Sequence, residues 1–289
     1  MSIRVIARLD IKGPNLVKGV HLEGLRVLGK PENFARKYYE QGADELIYID
    51  AVASLYGRNS LVQVVERTAR EVFIPLAVGG GLRSVDDIRA VLRAGADKVS
   101  LNTAAGYCPQ LIREAANAFG SSTIIISIDA MRRPNGKYEV YVNYGREKTG
   151  LDAFDWAIQA AEMGAGELLV TSIDHEGSGR GFDIDFTRKI ADSVPVPVIA
   201  SGGAGKVGDL CRVIQEGRAD AVSLASLLHY NYLERCAGGK LDFSGEGNVD
   251  FIRSGSGVSK FEATSLPKIK EYLLGRGIEC RPVVEVSEV

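Results

Sequence analysis

Residues 77–103, AVGGGLRSVDDIRAVLRAGADKVSLNT, return as residues 200–226, ASGGAGKVGDLCRVIQEGRADAVSLAS, at a constant offset of 123 (202 minus 79). Aligned without a gap, the two copies agree at ten of 27 positions: Ala77/Ala200, Gly79/Gly202, Gly80/Gly203, Asp86/Asp209, Arg89/Arg212, Ala96/Ala219, Asp97/Asp220, Val99/Val222, Ser100/Ser223 and Leu101/Leu224. Each copy reads as an apolar strand, a glycine turn, an amphipathic helix and a second apolar strand, which is a βαβ crossover joining parallel strands. A duplication of this kind restricts the chain to folds built from repeated βα units.

The rest of the chain supplies the same units. Apolar strand-like runs fall at residues 4–10, 45–50, 74–78, 98–102, 123–129, 167–172, 198–201 and 219–225. Helical spacing falls between them at 31–41, 60–71, 110–118, 152–163, 185–191 and 206–215; Ser84 caps a further helix, and a last one is expected at 266–274. Eight βα units predict an α/β fold, a single (β/α)₈ TIM barrel over residues 1–289 built from two homologous half-barrels, about 1–120 and 121–289. Three segments lie outside the pattern. Residues 11–30 read as a long glycine-rich connection, and such loops are often lids. Residues 137–143, KYEVYVN, alternate like a hairpin strand after strand five, and the glycine- and serine-rich stretch 236–262 reads as an insertion between strand eight and the last helix. The tail from Cys280 is expected to fray beyond Val284.

Composition removes several function classes. A net charge of −2 gives no basic footprint for nucleic acid. The four cysteines show no CxxC spacing and the three histidines no ligand cluster, so neither metal nor cofactor is expected. No apolar run approaches the ~20 residues of a membrane span, and the first residues, MSIRVIARLD, lack the pattern of a signal peptide. A cytoplasmic protein with reduced thiols is the expectation.

In barrels of this type the active site lies where strands end. Asp10 and Asp129 each end a strand, 119 residues apart (129 minus 10), and the duplication places them opposite each other. Taken singly, either carboxylate reads as well as a loop cap; as a pair they fit a general acid and a general base. The glycine turns at 79–81 and 202–205, with Asn102, Thr103, Ala225 and Ser226 at neighbouring strand ends, present backbone N–H groups and hydroxyls suited to phosphate. Two such cradles imply a bisphosphorylated small molecule lying across the mouth. At the other face, Arg4, Glu45, Lys98 and Glu167 stand where strands begin, in signs that fit either a salt-bridged ring or ordinary solvated strand starts. Alternation along the first strand turns Arg8 to the same side as Asp10.

The stretches RVIARLDIKGPNLVKGV, GADELIYIDAVAS, VGGGLRS, GADKVSLNTAA, ISIDAMR, TGLDAFDWA, GAGELLVTSIDHEG and PVIASGGAGK resemble the cyclase subunit of imidazole glycerol phosphate synthase in histidine biosynthesis. The resemblance implies a lyase that takes ammonia from a glutaminase subunit bound as a heterodimer. The ammonia adds to a ribulosyl carbonyl of a bisphosphate aminoimidazole carboxamide substrate, giving imidazole glycerol phosphate and aminoimidazole carboxamide ribotide. By motif, Asp10 and Asp129 become the acid/base pair. Lys18, Gly81, Asn102 and Thr103 bind substrate and one phosphate, and Gly177, Gly203, Ala225 and Ser226 bind the other. Arg4, Glu45, Lys98 and Glu167 match an ammonia gate, and Asp97 a partner-facing surface. Three features depart from the family: Arg8 stands where a small residue or cysteine is usual, Glu176 replaces an aspartate, and the insertion 236–262 is extra. These departures leave as alternatives a paralogue that uses glutaminase-derived ammonia to amidinate a surface-polysaccharide sugar, a phosphoribosyl isomerase, or a glutaminase-binding scaffold.

Overall fold

The computed structural model describes residues 2–53, 61–236 and 261–283. Twelve strands form one sheet: β1 (Arg4–Lys12), β2 (Asn15–Val20), β3 (Glu23–Gly29), β4 (Glu45–Asp50), β5 (Leu76–Gly79), β6 (Lys98–Leu101), β7 (Ile124–Arg132), β8 (Tyr138–Val142), β9 (Glu147–Asp152), β10 (Glu167–Ser172), β11 (Val198–Ser201) and β12 (Ala221–Leu224). Eight of them pair in parallel in the order β10-β11-β12-β1-β4-β5-β6-β7, and a β7–β10 pairing closes the ring. With helices following the strands, this is a (β/α)₈ TIM barrel. β1 and β7 lie four strands apart in either direction around the ring, so Asp10 and Asp129 stand on opposed strands.

The strand starts are fixed by a recurrent device. Asp44 accepts the Val5 N–H at 2.7 Å, Asp97 the Leu76 N–H at 2.9 Å and Asp220 the Val198 N–H at 2.8 Å. Each aspartate precedes one strand and bonds the first amides of a neighbouring strand or of the strand before it, which pins the parallel register that period-two alternation then exploits. Alternation sorts the inward side chains into layers. Arg4, Glu45, Lys98 and Glu167 form the lowest. Above them, Ile6, Ile47, Ala77, Ile125, Leu169, Ile199 and Ala221 pack as a separate buried apolar cluster. Two residues further along the strands come Arg8, Ser127, Thr171, Ser201 and Ser223, a polar layer beneath the mouth, while Ser100, two residues after Lys98, lies beside Ile125.

The segment 11–30 is a correction to the sequence expectation of an open loop. It continues β1 into an antiparallel hairpin, β2 and β3, with β2 paired to β1. The two-residue turn His21–Leu22 carries positive φ at both residues, 52° and 61°, so the hairpin has the required backbone twist without an Asn-Gly signal. The expected post-strand-five hairpin is present as β8 and β9, paired in series to the end of β7. A short helix Thr103–Tyr107, absent from the sequence reading, precedes the helix Gln110–Phe119. The last helix lies at Leu266–Leu274 as expected, and Ser84 caps Val85–Arg93 by accepting the Asp87 N–H at 3.2 Å. Of the inserted stretch, residues 237–260 lie outside the described residues, as do the last six of the tail, 284–289.

Candidate active site at the barrel mouth

The lower ring is closed. Arg4 bonds Glu45 at 2.8 Å and Glu167 at 2.6 Å, while Lys98 bonds the same two carboxylates at 3.1 and 2.7 Å. The two glutamates respond differently. Burial pushes Glu45 above the usual carboxylate range despite Lys98 and Arg4; one oxygen takes both cations and the other, Oε1, is buried with no hydrogen-bond partner among the described residues. Burial acts upward on Glu167 too, yet both its oxygens are engaged by Arg4 and Lys98, which hold it below that range.

At the mouth the geometry centres on Arg8, only 4% exposed. Its Nε donates to Asp10 Oδ1 at 2.9 Å, and its Nη1 to Ser201 Oγ at 3.2 Å and Thr171 Oγ1 at 3.3 Å. Burial works against the cation and is the largest single effect, but Asp10, Tyr144, Glu176 and Asp129 together outweigh it, and the guanidinium is held charged more firmly than usual. Asp129 accepts a 3.4 Å bond from Ser127 Oγ. Burial raises its carboxyl to about 6, against the lowering effects of Arg8 and of the Thr171 hydroxyl, with Asp10 and Glu176 adding to the rise. At neutral pH a minor but substantial fraction of Asp129 therefore keeps its proton, the condition a general acid needs.

Two cavities flank this centre. The first, about 290 Å³, is lined by Gly81, Asn102, Thr103, Asp129 and Tyr144 among others. The second, about 20 Å³, is lined by Gly177, Gly203, Ala225, Ser226, Glu176 and Phe261 among others. They hold the residues expected for the two phosphates, four in the second and three in the first, with Lys18 beside Glu176. Gly80 and Gly203 are matched by the repeat offset and share positive φ, 96° and 110°. A Cβ at Gly203 would collide with the Gly181 carbonyl oxygen, and one at Gly80 with the backbone of Asp50, so both turns need glycine to bring the amides to the mouth. Asn102 donates its amide to the carbonyls of Ser127, 3.0 Å, and Tyr141, 3.3 Å, and so fixes the first cradle.

Lys18 is buried in an ion pair with Glu176, a charge-assisted hydrogen bond. Burial alone would raise Glu176; Lys18 and Arg8 hold it below its ordinary range. Asp97 lies on the strand-start face with an exposed carboxylate, apart from the mouth.

Some members of the site escaped the sequence reading. Asp50 ends β4 and accepts the N–H groups of Val52, 3.0 Å, and Ala53, 2.9 Å, whereas Asp10 and Asp129, expected at strand ends, lie within β1 and β7, which run on into their hairpins to Lys12 and Arg132. Tyr144 is buried at positive φ of 57°, and burial followed by the Asp10 charge keeps its phenol protonated. The inward hydroxyls could have been found by counting in twos from the ring: Lys98 leads to Ser100, and Glu167 through Leu169 to Thr171. Ser100 Oγ and Ser223 Oγ, matched by the repeat offset, are both buried with no hydrogen-bond partner among the described residues.

The profile of the family described as "Histidine biosynthesis protein" matches residues 4–234. The chain belongs to that family. It is 58% identical over 206 residues to "Imidazole glycerol phosphate synthase subunit HisF" of Legionella pneumophila, covering 71% of this chain and 97% of the relative. The protein of the same name from Alkaliphilus metalliredigens is 48% identical over 228 residues, 79% of this chain and 90% of the relative. That of Trichormus variabilis is 48% identical over 248 residues, 82% and 96% respectively. Membership accounts for the barrel and the resemblance noted in the sequence. Among the described residues, no helix is long and apolar enough to cross a membrane, and no His/Cys/Asp/Glu group is arranged to hold a metal.

Proposed function

We propose that the chain is an ammonia-dependent cyclase of the imidazole glycerol phosphate synthase type, acting in the cytoplasm on a ribulosyl bisphosphate aminoimidazole carboxamide. One observation carries the reading: two carboxylates on opposed strands, flanked by two cavities lined by the glycine turns, sit above a barrel whose far end is a ring of four charges. The cradles hold the terminal phosphates, Gly81, Asn102 and Thr103 at one end and Gly177, Gly203, Ala225 and Ser226 at the other, with Lys18 released from Glu176 to meet substrate. Ammonia enters through the ring of Arg4, Glu45, Lys98 and Glu167. The orphan Glu45 Oε1 accepts a passing N–H there, and Ser100 Oγ and Ser223 Oγ do so further along the barrel. Asp129 supplies a proton to the substrate oxygen and Asp10 receives one from the added nitrogen. The chain works as one domain of two duplicated halves, about 1–120 and 121–289; the matched hairpins after β1 and β7 support this.

A glutaminase subunit docks on the strand-start face. Phe73 is 75% exposed there, against the edge of Tyr39 at a ring separation of 6.1 Å, and Asp97 adds an exposed carboxylate. A large apolar side chain left in water beside the ring is an anchor for an apolar pocket. Phe73→Asp should weaken glutaminase binding about tenfold or more, measured by titration calorimetry, while ammonium-driven turnover stays at the wild-type rate.

The activity itself is tested with the purified chain, saturating ammonium and the ribulosyl bisphosphate, following imidazole glycerol phosphate and the ribotide. Formation of both products is expected. Absence of turnover would remove the cyclase reading, and conversion of the aldose precursor without ammonia would point to an isomerase instead.

A further inference from the structure

Arg8 is the one described residue that lines both cavities. A molecule reaching from one cradle to the other must pass against its guanidinium, so Arg8 faces the middle of that molecule and neither end. A guanidinium carries five N–H donors. Nε spends one on Asp10, and Nη1 spends two on Ser201 and Thr171. The two N–H groups of Nη2 donate to no acceptor among the described residues. A nearly buried cation, fixed on three sides and with one edge unspent, is a preorganised electrophile.

The matched position in the second half of the duplicated barrel is Ser127 (8 plus 119), an uncharged hydroxyl that donates to its own aspartate, Asp129. The two halves thus treat their aspartates differently. One aspartate is tied to a cation whose remaining edge is free, and the other to a neutral donor.

On the reading proposed above, we propose that Arg8 is a catalytic residue: its Nη2 edge binds the ribulosyl carbonyl oxygen and stabilises the negative charge that grows there as ammonia adds. The nitrogen lone pair forms the C–N bond and the C=O π pair moves to oxygen. The oxygen gains a proton from the acid and the nitrogen loses one to the base, leaving a neutral carbinolamine. Thr171, which accepts from Arg8 and lies beside Asp129, links the electrophile to the acid. The groups facing this centre are Asp10 on β1, Asp129 on β7, Glu176 after β10, Tyr144 after β8, and Lys18 on β2, held by Glu176.

The test compares the full chain with Arg8→Met and Arg8→Lys at saturating ammonium, with substrate binding measured separately without ammonium. An oxyanion donor contributes about 10²- to 10³-fold to turnover. Arg8→Met should lose that much in kcat with substrate affinity within about threefold, whereas Arg8→Lys, which keeps the charge but not the fork, should lose less. Adding guanidinium ion to Arg8→Ala should restore part of the rate, which a purely structural arginine would not allow. Turnover of Arg8→Met within about threefold of wild type, or a loss confined to affinity, overturns the proposal and leaves the cyclase reading standing. If Arg8→Met does not fold, undiminished kcat in Arg8→Lys together with no guanidinium rescue of Arg8→Ala overturns it equally. Failure of the wild type itself to turn over removes the cyclase reading, and this proposal with it.

Discussion

Asp10→Asn and Asp129→Asn should both abolish most turnover, by about 10²- to 10⁴-fold, yet move stability in opposite directions. Asp129 sits 5% exposed with its carboxyl raised to about 6 against an ordinary 3.8. A carboxyl whose folded value lies above its unfolded one contributes stability below the unfolded value and loses it as pH rises through the folded one. Above about pH 6 the folded chain carries a charge it would shed, at a cost of about 3 kcal/mol. Asn removes that charge, so Asp129→Asn should match wild type near pH 4 and unfold later than wild type at pH 8. Asp10, 1% exposed, is the partner of a buried guanidinium. Asp10→Asn strands that cation, and the loss should be on the order of 3 kcal/mol at neutral pH. Thermal unfolding of both variants from pH 4 to 8 checks the pair. Two melting curves that shift in the same direction would mean that the opposed carboxylates share one environment.

The second large effect is expected at the other end of the barrel. In Arg4→Met, Lys98 alone faces both Glu45 and Glu167. Glu45 is fully buried and already under-satisfied at Oε1, so the lost cation is felt there first. Breaking a buried ion network in this way costs about 3–5 kcal/mol. Adding Glu45→Gln removes the uncompensated charge, so the double variant should be more stable than Arg4→Met alone. Denaturant unfolding of the two singles and the double measures the coupling. Simple additivity would show that the four charges do not act as a ring.

What is readable in the amino-acid sequence follows from how each feature is encoded. The barrel was legible because the duplication and eight apolar runs repeat at fixed spacing, and β4, β10 and β11 fall where the pattern placed them. Asp10, Asp129 and the ring were legible because strand ends and period two place them on one axis. The partners of Arg8 were not. Thr171 and Ser201 are 163 and 193 residues away, and only closure of the ring brings them to it. The first-loop hairpin was hidden for a local reason: its turn uses His21 and Leu22 in a backbone state that glycine usually marks, while the glycines nearby, at 13, 19, 24 and 29, resemble a loop. The Thr103–Tyr107 helix is too short for its periodicity to register.

The pairing of Lys18 with Glu176 ties the hairpin of one half to a loop of the other, reinforced where His21 N–H donates to the Glu176 carbonyl at 2.8 Å and His21 Nδ1 meets the Ile173 carbonyl at 2.7 Å. At the repeat offset, the position matching Glu176 is Ala53 (176 minus 123), which carries no charge. Two faithful copies of the first half joined head to tail would therefore leave an ammonium at each mouth edge with no anion to meet it. The halves share one pattern and are not interchangeable: each carries a charged group that the matched position of its twin lacks, so this barrel cannot be rebuilt by copying either half.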